Sequence, residues 1–306
     1  MTFTHILCAT DFSDTARRAL EYAVAFAGWH QARLDLLHVA PSFDPVVAAS
    51  PQIGGPAELL YPVRRDDVLA ALRREAKEVG GSHVEAVAET GDVASAILNR
   101  ALTSSADLVV VGTHGRSGVE RALLGSIAER VIHEAPCPVL TVPASAHSPA
   151  KRPPQRILCP VDFSPASLQA LGCALQLAKQ LKARLALLHV VEWPFEDQRP
   201  LQPQSPIAQY RHQLLSEATD RLETLAPQAS LDGLTHTFVA GHVRDEIPRH
   251  AQQLDADLIV MGAQSRSGVG LTFAGSTTER VVRRATCPVL TLRGATAIPP
   301  PTSQAG

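Results

Sequence analysis

Glycine and serine recur at a fixed spacing in one segment that could bind an anion. Two residues separate Gly112 from Gly115, and nine further residues precede Gly125 and Ser126, at the start of a predicted helix. Glycine can take a positive φ and lets a ligand approach the backbone closely, because it has no Cβ atom. Unpaired amides at a helix N-terminus, together with the helix dipole, favour a phosphate group. The spacing therefore indicates a loop suited to phosphate.

Part of this segment also has an ordinary structural explanation. Ser126 and Glu129 fit the S-x-x-E pattern of a capping box, and Ser276 and Glu279 repeat it. Taken alone, this pattern would indicate only a well-capped helix start. The two glycines upstream, and Asp11 at the end of the first predicted strand, favour a ligand site instead.

The chain repeats itself once. ILCATDFS at residues 6–13 recurs as ILCPVDFS at residues 157–164, and the glycine segment can be laid on a second copy without a gap. A period this long indicates a duplicated domain rather than a solenoid. In the second copy Ser265 stands where the first has Gly115. Serine takes a positive φ only at some cost, so the second loop could be reshaped.

We expect two domains, at residues 1–143 and 156–293. The stretch between them, residues 144–155, is rich in Pro, Ala and Ser, which is typical of an extended linker. The tail, residues 294–306, is predicted to be disordered. A length of 306 residues suits two domains of ordinary size better than one large domain.

Each copy alternates predicted strands and helices. Residues 107–111 form an apolar run rich in valine, as in a central parallel strand that is buried on both faces. Ser13 can cap a helix whose apolar residues recur at helical spacing. This alternation, with short turns, predicts an α/β fold with a doubly wound parallel sheet in each copy. Ligands bind such sheets beyond the carboxyl ends of the strands, where the strand order reverses.

The glycine segment after the fourth strand, with an aspartate that closes the first, resembles the ATP-binding signature of the universal stress protein family. The resemblance covers both copies, residues 2–143 and 155–293, and APCPVLTV at the end of the first copy matches as well. It implies a five-stranded parallel sheet with four helices in each copy. It also implies that the two copies associate through their last strands, as a pseudo-dimer within the chain. A further homodimer stays open.

The resemblance further implies ATP as the ligand, and Mg²⁺ could accompany it with Asp11 as a candidate ligand. Asp11 and Val39 would contact adenine and ribose, and the first two glycines would shape the loop around the ribose and phosphates. Gly125, Ser126 and Ile127 would offer amides to the phosphates. The implied positions are Asp11, Val39, Gly112, Gly115, Gly125, Ser126 and Ile127 in the first copy, and Asp162, Val190, Gly262, Ser265, Gly275, Ser276 and Thr277 in the second.

Composition speaks against several other functions. A net charge of −2 and 4% aromatic residues provide neither the basic surface nor the stacking platforms of a nucleic-acid-binding protein. No signal peptide precedes the first strand and no apolar run could span a bilayer, so we expect a cytoplasmic protein without membrane contact. Five cysteines without a CxxC pair indicate reduced core thiols. No set of His and Cys residues fits a metal site.

The sequence contains no nucleophile elbow and no Walker lysine, so we predict no catalytic residues and at most slow ATP hydrolysis or autophosphorylation. Our prediction is a nucleotide-dependent sensor or regulator of the stress response, with protein partners still to be identified. The alternative is a scaffold, or a carrier of a lipid or metal, that no longer uses nucleotide. Ser265 and two long loops that the copies do not share, residues 40–66 and 191–210, favour this alternative.

Overall fold

The computed structural model describes residues 2–41, 64–81, 83–114, 124–147, 153–192, 206–225, 233–263 and 276–293. Within these ranges the chain forms ten strands and eight helices. The strands are β1 (His5–Ala9), β2 (Arg33–Ala40), β3 (Val84–Thr90), β4 (Leu108–Gly112), β5 (Val139–Val142), β6 (Arg156–Pro160), β7 (Arg184–Val191), β8 (Thr235–Ala240), β9 (Leu258–Gly262) and β10 (Val289–Leu292). The helices are α1 (Asp14–His30), α2 (Arg65–Glu78), α3 (Val93–Thr103), α4 (Ser126–Glu134), α5 (Pro165–Leu181), α6 (Pro206–Leu225), α7 (Val243–Gln253) and α8 (Ser276–Arg284).

All ten strands lie in one sheet, in the order β3-β2-β1-β4-β5-β10-β9-β6-β7-β8. Each half contributes five strands that pair in parallel, and β5 pairs with β10 antiparallel. The strand order reverses between β1 and β4, and again between β6 and β9. The predicted parallel sheets and the association through the last strands are therefore confirmed.

Helices cover both faces of the sheet. One core packs α1, α2 and α5 against alternate strand residues such as Ile6 and Cys8. The other packs α3, α4, α7 and α8 against the intervening residues, such as Leu7. This alternation follows from the pleat of a strand, in which successive side chains point to opposite faces. Each half is thus doubly wound, as the sequence predicts.

The first helix of each half begins at a capping serine that follows the first strand. The Ser13 hydroxyl accepts a hydrogen bond from the Ala16 amide, and the Ser164 hydroxyl accepts one from the Ser167 amide. Such caps satisfy one of the amides that a helix start leaves without an intrahelical acceptor. In the second half Pro165 is the first helical residue, where its missing N–H costs nothing. These caps fix the turns that carry the predicted aspartates.

All five cysteines are free thiols, and four of them are buried: Cys8, Cys159, Cys173 and Cys287. Burial raises the pKa of Cys287 to about 12, and burial likewise raises the pKa of Cys137, which is half-buried, to about 12. These thiols behave as small core residues. No helix among the described residues is both long and apolar enough to cross a bilayer.

Candidate functional site

An aspartate side chain holds the turn after the first strand of each half. The Asp11 Oδ1 atom accepts a hydrogen bond from the Ser13 amide at 3.0 Å, and the Asp162 Oδ1 atom accepts one from the Ser164 amide at 2.9 Å. Bonds of this kind let an aspartate fix a tight turn. Both aspartates therefore lie at the carboxyl end of a central strand, beside the point where the strand order reverses.

The phenylalanine after each aspartate is part of the same turn, and the sequence analysis missed it. Phe12 and Phe163 have φ angles of 64° and 62°, a left-handed conformation that is costly for a bulky residue. The Phe12 ring lies 4.7 Å from the His38 ring, and the Phe163 ring lies 5.0 Å from the His189 ring. The recurrence of Asp-Phe-Ser in both copies was the available signal.

The glycines at the strand ends have a packing role that the sequence did not predict. Among the described residues, neither Gly112 nor Gly262 has a positive φ. A Cβ atom on Gly112 would lie 2.9 Å from Cγ2 of Thr15, and one on Gly262 would lie 2.7 Å from the carbonyl carbon of Ala166. The missing side chains therefore let the first helix of each half approach the end of a neighbouring strand. Of the two reasons for glycine given above, a positive φ does not apply at these two positions.

The helix α4 begins at Ser126, with Gly125 as its N-cap, and no side chain caps it. A capping box requires Ser126 to be the N-cap residue, but it is the first helical residue, so the predicted capping box is wrong. Gly125 has a φ of −63°, so it does not use a positive φ either, and its amide donates to the Thr113 carbonyl at 2.9 Å. Within the described part of the chain, the amides of Ser126 and Ile127 have no acceptor, as is usual in a first helical turn.

The structure brings together four of the predicted residues of the second half around one cavity of about 480 Å³. They are Asp162, Val190, Gly262 and Thr277. A volume of this size is in the range of sites for small molecules and cofactors. Ser276 is the first residue of α8, while Ser265 and Gly275, like Gly115 in the first half, lie outside the described residues.

Charged side chains line the same cavity. Besides Asp162, Glu192 and Glu217 contribute carboxylates. Arg221 is the one Arg or Lys among the described lining residues, and its guanidinium carbon lies 5.6 Å from the centre of the Phe163 ring. That distance permits a cation–π contact. The described lining thus carries more negative than positive charge.

In the first half, Asp11 and Gly112 lie at the ends of the adjacent strands β1 and β4, and Val39 is near the end of β2. A polar pair lies next to them. The Thr10 hydroxyl accepts a hydrogen bond from the Phe12 amide at 3.0 Å and donates one to Oε2 of Glu75 at 3.3 Å. Burial is the main cause that raises the pKa of the Glu75 carboxyl. The sequence analysis did not identify this pair.

Comparison with known proteins places the chain in a family. The model of the universal stress protein family matches residues 2–143 and again residues 154–293. A universal stress protein of Mycolicibacterium smegmatis is 28% identical over 301 residues, which are 94% of this chain and 96% of the relative. One of Methanocaldococcus jannaschii is 36% identical over 146 residues, which are 46% of this chain and 82% of the relative.

A solved structure shares the fold over the whole chain. The crystal structure of a universal stress protein from Archaeoglobus fulgidus superposes with a TM-score of 0.65 and covers 96% of this chain, with 97% of its own chain aligned. At 22% identity this likeness concerns the fold alone. The two matches of the family model are what decide membership. The chain belongs to the universal stress protein family, as two of its domains in tandem.

Proposed function

We propose that each half of the chain binds ATP at the carboxyl end of its sheet, and that occupancy of these pockets controls the binding of partner proteins in a stress response. The observation that carries the proposal is the cavity of the second half, because it brings Asp162, Val190, Gly262 and Thr277 together. These residues are far apart in sequence but meet where the strand order reverses, which is where ligands bind this class of sheet.

The start of α4 supports the same ligand in the first half. Ser126 and Ile127 offer amides at the positive end of the helix dipole, which favours a phosphate group. The Asp11 carboxylate, which accepts a hydrogen bond from the Ser13 amide, follows β1, and β1 is the strand beside β4. A ribose hydroxyl is the group of ATP that can donate a hydrogen bond to such a fixed carboxylate.

The excess of carboxylates around the second cavity indicates that ATP enters it with Mg²⁺. Asp162, Glu192 and Glu217 would repel a free triphosphate, since one guanidinium faces three carboxylates among the described lining residues. Mg²⁺ prefers oxygen ligands and is commonly held by one or two carboxylates together with phosphates. Binding to the second half should therefore weaken when EDTA removes the metal.

Thermal unfolding with and without Mg²⁺ and ATP tests the proposal. A ligand at 100 times its dissociation constant stabilises the folded state by about 2.7 kcal/mol. Asp11→Arg and Gly115→Val should each remove the protection due to the first half, and Asp11→Arg combined with Asp162→Arg should remove all of it. Asp14→Asn is the matched control, because Asp14 is exposed in the first turn of α1. Undiminished protection of the double variant would contradict the assigned sites.

A further inference from the structure

Glu75 is a buried carboxyl group that the packing of the fold does not explain. It is 9% exposed and lies on the same face of α2 as Val68, Leu72 and Ala76, all of them buried. Its hydrogen-bond partner is the Thr10 hydroxyl, at 3.3 Å. Burying a carboxylate without a cation is costly, and an apolar side chain would fill this position at no such cost.

Burial favours the neutral form of Glu75, while the charges around it act in both directions. The titratable groups that face it are Cys8 from β1, Asp11 from the following turn, Arg17 from α1 and Glu78 from its own helix, and His38 lies on the same face of the sheet in β2. Strand β3 presents Ala86 and Ala88 to this core, which carry no charge. The Arg17 guanidinium pairs with Glu78 at 2.9 Å. Burial is the largest effect and raises the pKa of Glu75. The Thr10 hydrogen bond and Arg17 lower this pKa, while Asp11 and Glu78 raise it by smaller amounts.

Glu75 reaches the predicted nucleotide pocket through one intermediate residue. The Thr10 hydroxyl that donates to Glu75 also accepts the Phe12 amide at 3.0 Å. Phe12 is the left-handed residue between Asp11 and Ser13, so its amide belongs to the turn that presents the Asp11 carboxylate. Two hydrogen bonds thus connect the Glu75 carboxyl group to the turn that carries Asp11.

The second half shows that this pair is not needed to form the turn. Val161 stands at the position of Thr10 and has no hydroxyl, yet Phe163 has a φ of 62°, against 64° for Phe12. The aspartate turn keeps its side-chain bond as well, from the Ser164 amide to Asp162. In the second half another hydroxyl bonds the turn instead, since the Ser167 hydroxyl accepts the Asp162 amide at 3.3 Å. The Thr10 and Glu75 pair therefore adds to the turn of the first half a carboxyl group that the turn itself does not require.

We propose that Glu75 is a positioning residue for the nucleotide pocket of the first half: through Thr10 it holds the turn that carries Asp11, and its carboxyl group takes up a proton when the nucleotide binds. The proposal rests on the proposed function. An anionic nucleotide beside Asp11 adds negative charge near Glu75, and like charges favour the neutral form of a carboxyl group. The neutral carboxyl still accepts the Thr10 hydroxyl with its carbonyl oxygen.

The sign of the effect follows from linkage. Because binding takes up a proton, the affinity of the first half for ATP rises as the pH falls towards the pH at which free Glu75 is already protonated. The second half has no counterpart of the Thr10 hydroxyl, so this contribution belongs to the first half. The proton uptake of ATP itself is common to every variant and cancels in their comparison.

The test is calorimetric titration of the full chain carrying Asp162→Arg, with Mg²⁺ and ATP, between pH 5 and 8. Buffers of different ionisation enthalpy report the protons taken up. The protein with Glu75 should take up more protons per ATP than its Glu75→Gln counterpart, by up to about one. Asp66→Asn is the matched control, because Asp66 is an exposed carboxyl group in the first turn of the same helix, and its proton count should equal that of the parent. Thr10→Val should weaken binding by about fivefold.

The outcomes separate this inference from the function on which it rests. If the Asp162→Arg protein binds no ATP while it remains folded, the proposed function of the first half fails and the inference with it. If that protein binds ATP and Glu75→Gln leaves the proton count unchanged, the inference alone is overturned. A mere loss of stability in Glu75→Gln would leave the proton count of the folded protein as it was, so it would not imitate the expected result.

Discussion

Thr141 and Thr291 occupy the same position in the last strand of each half, and each donates its hydroxyl to a backbone carbonyl of the other half. Thr141 bonds the carbonyl of Val289, and Thr291 bonds that of Val139, both at 3.2 Å. Both threonines are buried within the antiparallel pair of β5 and β10. The two halves are thus joined by a reciprocal contact, as in an isologous dimer.

The first prediction concerns this contact between β5 and β10. Changing Thr141 and Thr291 to valine together should lower the free energy of unfolding by about 2 kcal/mol, since each buried hydrogen bond contributes about 1 kcal/mol. Urea denaturation measures the change. Thr103→Val is the control, because the exposed Thr103 bonds only the carbonyls of its own helix, and its effect should stay within about 0.5 kcal/mol. Equal effects of the control and the double variant would show that the two threonine hydrogen bonds do not stabilise the contact between β5 and β10.

The second prediction concerns the close approach of α1 to β4. Gly112→Ala should destabilise the fold by about 1–3 kcal/mol, because its Cβ atom would meet Thr15 at 2.9 Å and the Thr15 backbone at 3.2 Å. Gly28→Ala is the matched control. A Cβ on Gly28, within α1, meets nothing within 4 Å, so alanine there should stabilise the helix by about 0.5–1 kcal/mol. Changes of the same sign in both variants would disprove the packing role.

The third prediction concerns a buried carboxylate that only the first half contains. Asp35 is fully buried in β2, and its side chain lies 2.9 Å from Arg100 and 3.1 Å from Arg33. At the matching positions the second half has Ala186 and His250. Arg100→Ala should cost about 3 kcal/mol, because it leaves a buried charge less well compensated, and Asp35→Ala combined with it should cost less. Denaturant unfolding of the single and double variants measures both.

The pH dependence of stability follows from the same aspartate. Burial alone would raise the pKa of Asp35, but hydrogen bonds from Arg100, Arg33 and His5 outweigh it and lower the pKa. A lowered pKa contributes stability that is present above the ordinary value and is lost as the pH falls through the lowered one. Asp35→Ala should therefore flatten the acid limb of the stability curve below about pH 4. An acid limb as steep as that of the parent protein would contradict this.

Glu75 should show the opposite sign. Its pKa is raised, so the stability that it contributes is present at acid pH and is lost as the pH rises through the raised value. Glu75→Gln should therefore be more stable, relative to the parent, at neutral pH than at pH 4. Thermal unfolding at both pH values measures the difference. A constant difference between the two proteins would show that Glu75 titrates as an ordinary exposed glutamate.

The structural features that depend on the internal repeat and on apolar periodicity could be predicted from the sequence. The strand ends at Asp11 and Gly112 followed from apolar runs and from the recurrence of both segments in the second half. The N-cap of α4 was predicted wrongly, because Ser126 fits the sequence pattern of a capping box while the backbone angles assign the N-cap to Gly125. Sequence letters alone do not determine such angles.

Other features depend on tertiary contacts that no local pattern contains. Phe12 takes a left-handed conformation in a turn that also brings its ring against His38, a residue of another strand. Glu75 is a charged residue that follows two arginines in the sequence, yet it lies on the buried face of its helix and accepts the Thr10 hydroxyl. The first copy has Thr10 where the second has Val161, and this difference can be interpreted only once the hydrogen bond from Thr10 to Glu75 is known.

Calorimetric titration of the nucleotide-stripped, full-length protein with Mg²⁺ and ATP tests the central claim most directly. Two sites per chain are expected, with loss of one site in Asp11→Arg while Asp14→Asn retains both. Asp162→Arg should remove the other site. Absence of binding by the folded protein, or the same stoichiometry in Asp11→Arg combined with Asp162→Arg, would contradict the claim that this chain binds nucleotide at these two turns.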